Sequence, residues 1–242
     1  TNMEGYRLLG LALFDELVRE NIAHPDAGWN AARREAVRET VIAGLDPRDT
    51  GRSLVNLGKV LGWAGKFEEA YAAFQQALDT MGPHPAVYFG LASALYSQGK
   101  PGEAVPYYEK TLELAPGRRG VHAELARIYS EQGRTDAAIE QCRTELALDP
   151  DNADIHIALA ELLETQGEQA AALRHLQTAL QINPRLNHAH TALGLILKQQ
   201  GDYRQAMQHF SEALRLEPGD RVAEENLQQL QTGENKSGSH AS

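Results

Sequence analysis

A single cysteine, Cys142, occurs in 242 residues. One thiol closes no internal disulfide and builds no multi-thiolate metal site. Aromatic residues make up only 6% of the chain, and the longest apolar run, LLGLALF at 8–14, lies between Glu4 and Asp15. That run is far short of the ~20 residues a membrane helix needs, and its acidic flanks do not suit a secretory signal. Basic residues are in deficit, 23 against 33 acidic, for a formal net charge of −10. Such a surface repels phosphates, which speaks against broad nucleic-acid binding and against attraction to anionic membrane. Recognisable catalytic machinery is missing as well: there is no HExxH, no GxSxG elbow and no glycine-rich phosphate loop. The expectation is a protein that is not an enzyme and that needs no cofactor and no metal.

What the chain does have is a period. Gly65, Gly99, Gly133, Gly167 and Gly201 are each separated by 34 residues. Ala70, Ala104, Ala138, Ala172 and Ala206 follow five residues after each glycine, and Pro116, Pro150, Pro184 and Pro218 close the last four intervals. Five repeats therefore tile 51–84, 85–118, 119–152, 153–186 and 187–220 without insertion or deletion. Within each, apolar residues recur at helical spacing on two stripes, such as Leu159, Ala160 and Leu163, then Leu173, Leu176 and Leu180. The glycine ends the first helix and the proline stops the second. One such hairpin cannot bury enough apolar surface alone, so the period itself implies stacking.

This pattern resembles the tetratricopeptide repeat, with Gly mid-repeat, Ala at repeat position 20 and Pro near position 32. The resemblance implies an all-α, right-handed solenoid of stacked helix–turn–helix repeats. Thr111 and Glu145 depart from it, standing where the family places a small residue, and Pro106 is expected inside a second helix but within about its first turn, where a missing amide costs little. The family's groove is lined by repeat positions 2, 5, 9, 12 and 13 of the first helices. Carried onto this sequence, those positions supply Lys59, Trp63, Phe89, Tyr96 and Arg127 as an aromatic and basic stretch, followed by the acidic residues Asp154, Glu161 and Glu164. The resemblance thus implies a scaffold that binds a protein or peptide. Two sub-family ligand rules do not transfer. The carboxylate clamp for chaperone tails would need Lys and Asn where Val55 and Lys59 stand, and the asparagine ladder of sugar-transferase arrays meets Gly90, Glu124, Ala158 and Ala192 after Asn56.

His122, His156 and His190 share repeat position 4, and His175 and His209 share position 23. Equivalent residues of successive repeats lie a helix-packing distance apart, on the order of 8–10 Å, too far to share one ion. They are expected to be packing residues rather than ligands. Cys142 reads as a small buried hydrophobe.

The flanks differ. Residues 221–231 carry Ala223, Leu227 and Leu230 on one face and read as a capping helix, with 232–242 as a flexible tail. Residues 1–50 lack the 34-residue register and read as a helical pair, either capping the first repeat or ending a preceding domain. Two alternatives to a free-standing scaffold follow: the interaction arm of a larger enzyme, or a module that self-assembles end to end. The polar carboxyl-terminal cap gives no indication of the second. Neither partner identity nor compartment, cytoplasmic or periplasmic, is written in the residues.

Overall fold

A computed structural model describes residues 46–237. The expected helical pair at 1–50 lies almost entirely outside the described residues, as does the end of the tail. Eleven helices and no strand occur among the described residues. In order they are α1 (Pro47–Trp63), α2 (Phe67–Met81), α3 (Pro85–Ser97), α4 (Pro101–Leu114), α5 (Val121–Glu131), α6 (Thr135–Leu148), α7 (Ala153–Thr165), α8 (Gln169–Ile182), α9 (Asn187–Gln199), α10 (Tyr203–Leu216) and α11 (Arg221–Ser237). The described residues divide into two compact units, one ending at Arg118 and the other beginning at Arg119. Within each, helices pair as hairpins and stack in solenoid fashion, an all-α architecture.

Local chemistry sets the helix ends. Asp46 accepts a hydrogen bond from the Arg48 amide at 2.7 Å, with Pro47 opening α1. Asn152 does the same for Ile155 at 3.2 Å, and Asp202 for Gln205 at 3.1 Å, each satisfying an otherwise orphaned first-turn donor. Each hairpin turns at its glycine, where φ lies between 71° and 81°, a left-handed conformation that a β-carbon disfavours. The next residue's amide then reaches back five positions, as from Lys100 to the Leu95 carbonyl at 3.0 Å, which closes the turn.

The alanines at repeat position 20 are at most 1% exposed, because a larger side chain would separate the helices of the hairpin. In the amino-terminal unit the Phe74 ring fills the space between α1 and α3. A β-carbon on Gly58 would stand 2.7 Å from its Cζ, and one on Gly90 would overlap the same ring. Phe210 uses Gly194 in the same way, at 2.6 Å from Cε1.

The two departures at repeat position 27 are both fully buried, and each finds a local solution. Thr111 donates to the Tyr107 carbonyl at 2.8 Å. The Glu145 Oε1 accepts from the Gly120 amide at 2.6 Å, at the N-terminus of α5, leaving Oε2 without a protein partner. Pro106 requires a correction: it is the sixth residue of α4, beyond the first turn. Its missing amide removes a bond to the Gly102 carbonyl; both residues are exposed, so water can satisfy that oxygen. Helix α11 also runs further than expected, to Ser237 rather than 231. No proline interrupts its polar end, and residues such as Glu234 and Lys236 tolerate helix well.

Candidate functional site

Helices α1 and α3 of the amino-terminal unit place a recess of about 310 Å³ between them. The close seating of Phe74 against Gly58 and Gly90 forms its floor. Trp63, the last residue of α1, stands at its rim and is 86% exposed. Lys59, one turn earlier on the same helix, lines it from the same side. Phe89 lines it from α3, its ring edge-on to Tyr108 with centroids 5.6 Å apart. Ser93 and Tyr108 place their hydroxyl oxygens 3.3 Å apart, adding a polar tie between α3 and α4.

Three of the five groove residues expected from sequence, Lys59, Trp63 and Phe89, thus line one recess. Tyr96 does not line it and is half-buried on α3. Arg127 belongs to the other unit, where it pairs with Glu124 one helical turn away. The residue that sequence reasoning missed is Arg118. It closes the second repeat, outside the helix positions considered, and its guanidinium lies 4.8 Å from the Phe89 ring centroid. Among the described residues no carboxylate lines the recess. Among the described residues neither Lys59 nor Arg118 forms an ion pair.

The carboxy-terminal unit uses its polar residues differently. His156 and His175 bring their Nδ1 atoms to 2.9 Å, and His190 and His209 to 3.0 Å. Repeat positions 4 and 23 therefore meet across each hairpin, a contact that comparing equivalent positions between repeats did not reveal. His156 Nε2 donates to the Pro150 carbonyl at 3.1 Å, and His190 Nε2 to the Pro184 carbonyl at 3.2 Å. A carbonyl only accepts, so each of these Nε2 atoms carries the hydrogen and each Nδ1 accepts from the second imidazole. Burial lowers the pKa of both His175 and His209, and the neighbouring imidazole adds to it. The described residues hold no group of three or more side chains arranged to bind a metal ion.

Cys142 is fully buried, and burial followed by the Glu145 charge pushes its thiol up to about 11. A thiol held protonated is a poor nucleophile. Of the acidic stretch, Glu164 accepts from Gln199 at 3.2 Å, while Asp154 and Glu161 are exposed. No helix among the described residues is long and apolar enough to cross a membrane.

Comparison with known proteins places this geometry. The tetratricopeptide repeat family matches residues 49–117, 95–144, 124–187 and 189–220. Among solved structures, MamA is 22% identical with a TM-score of 0.61, over 66% of this chain and 94% of that one. PilF of Pseudomonas aeruginosa is 17% identical with a TM-score of 0.64, over 76% of this chain and 90% of that one. YrrB, described as a tetratricopeptide repeat protein with an unusual peptide-binding site, is 17% identical with a TM-score of 0.59, over 70% of this chain and 88% of that one. At these identities the likeness is one of fold. No curated protein matches the chain. Four family matches spanning 49–220 and the stacked hairpins together carry the conclusion that this chain belongs to the tetratricopeptide repeat family.

Proposed function

We propose that the chain is a non-catalytic scaffold that binds a protein segment against the first helices of its repeats, with the recess at Lys59, Trp63 and Phe89 as the anchoring site. In this reading the repeats are 51–84, 85–118, 119–152, 153–186 and 187–220, and 221–231 caps the array. One observation carries the proposal. An indole 86% exposed stands over a recess that also holds a second aromatic ring and cations without ion-pair partners among the described residues. Exposed large aromatics beside an apolar floor are a costly surface unless something covers them. Trp and Arg are also the side chains most often found at the energetic centre of interfaces. The fold agrees with a scaffold, since solenoids present extended surfaces built from repeating helices. YrrB, a structural neighbour, carries a peptide-binding site by its description.

The test compares affinity capture from the source lysate by this chain with capture by a Lys59/Trp63/Phe89→Ala variant. A protein retained by the first and lost by the second is the expected result. An identical set of proteins on both would remove these residues from the function.

A further inference from the structure

The recess has a chemistry that specifies its occupant more narrowly than "a protein segment". Its floor is apolar, made by Phe74, Gly58 and Gly90, and its rim is aromatic, made by Trp63 and Phe89. Its charges are of one sign, Lys59 and Arg118, in a chain whose formal net charge is −10. Two cations in a recess that no described carboxylate lines make a local reversal of the chain's net charge.

Arg118 is the more specific of the two. Its guanidinium carbon lies 4.8 Å from the Phe89 centroid, a distance at which the ring holds the cation and limits its rotamers. The ring in turn is held by the edge of Tyr108. A guanidinium fixed in this way loses less freedom when its planar fork meets a carboxylate. Lys59 adds a point charge from α1, and Ser97 a hydroxyl from α3. Nucleic acid is a poor occupant, because two cations on an otherwise acidic chain cannot follow a phosphate backbone.

We infer that the recess recognises a peptide segment in which an aromatic or large apolar side chain stands next to Asp or Glu, the first filling the floor between Trp63 and Phe89 and the second pairing with Arg118 and Lys59. The inference rests on the scaffold reading and adds the partner's chemistry to it. Arg118 is its specificity-determining residue.

Selection from a phage-displayed library of random twelve-residue peptides on the full chain tests it, with the same selection on Arg118→Glu and Phe89→Ala variants. Circular dichroism melting verifies that each variant is folded. Arg118 is only half-buried and ends the unit, so its reversal leaves the hairpin core untouched. The expected result is enrichment of aromatic residues beside Asp or Glu on the natural chain. The Arg118→Glu variant should lose those sequences at least tenfold in recovered phage and enrich Lys or Arg in their place. Binding at higher salt should weaken for the acidic peptides. Enriched peptides without acids, lost on Phe89→Ala but retained on Arg118→Glu, would overturn the charge rule and leave the scaffold reading standing. Peptides retained by both variants, or no enrichment at all, would overturn the inference and remove the recess from the scaffold reading as well.

Discussion

Repeat positions 4 and 23 meet across the last four hairpins, and the two units fill them with different chemistry. In the amino-terminal unit these positions hold Leu54 and Ala73, both buried, and then Tyr88 and Tyr107, the two phenol rings 6.2 Å apart beneath the Lys110 ammonium. In the carboxy-terminal unit they are His122 with Gln141, His156 with His175 and His190 with His209, all hydrogen-bonded through Nδ1. One backbone therefore accepts either an apolar or a polar latch at the same place. The difference is one of direction. Hydrogen bonds tie the second unit's polar groups to each other and to backbone carbonyls. The first unit packs its interior with aliphatic and aromatic side chains and leaves aromatic and cationic side chains facing outward.

The largest effect that would break this comparison comes from the apolar side. Phe74→Ala should destabilise the amino-terminal unit by about 3–5 kcal/mol, read by urea unfolding, because the ring fills the gap left by Gly58 and Gly90. It would also hollow the recess floor. The reverse change, Gly90→Ala, should cost about 1–3 kcal/mol from overpacking against that ring. This is expected despite the advantage of ~1 kcal/mol that alanine has over glycine in a helix. A Gly90→Ala protein as stable as the natural one would show that the ring is free to shift.

The polar side gives a pH signature. Histidines whose folded pKa is lowered bind fewer protons in the native state than when unfolded. Stability is therefore full above the unfolded value near 6.5 and falls as pH drops through it. A proton added to His175 or His209 goes to Nε2 and leaves the Nδ1–H donation in place, so burial and the neighbouring imidazole, not a lost hydrogen bond, oppose it. The groups facing His175 are His156, Arg174 and Arg143, all of which disfavour its charge; His209 faces His190, which does the same, and Glu212, which opposes it. The His122–Gln141 pair supplies a partner that does not titrate in the same position. His175→Gln/His209→Gln should keep the melting temperature at pH 7.5 and lose less of it than the natural chain between pH 7 and 5. Parallel melting curves for the two proteins across that range would contradict the assignment. At the small end, Arg52→Ala removes an exposed pair with Asp49, 3.3 Å long, and should change stability by less than ~0.5 kcal/mol.

Much of the fold was legible because repetition multiplies weak signals. A single glycine predicts little, whereas Gly65, Gly99, Gly133, Gly167 and Gly201 in register with their alanines predict five hairpins. The site was less so. Lys59, Trp63 and Phe89 followed from helix position, since a helical face is periodic. Arg118 did not, because it lies in a turn, and a turn residue reaches a recess through backbone geometry that no period records. The histidine pairs were hidden for a related reason. Comparing His156 with His190 measures the spacing between repeats, while the contact that matters runs from His156 to His175 within one. Glu145 read as an anomaly until the Gly120 amide supplied its partner.

The central claim is that this chain meets its partner on the amino-terminal unit. Hydrogen–deuterium exchange of the full chain, with and without the tightest peptide from the selection, tests it most directly. The account predicts slower exchange in the last turn of α1, along α3 and around Arg118, with residues 119–220 unchanged. Protection confined to 119–220 would contradict it.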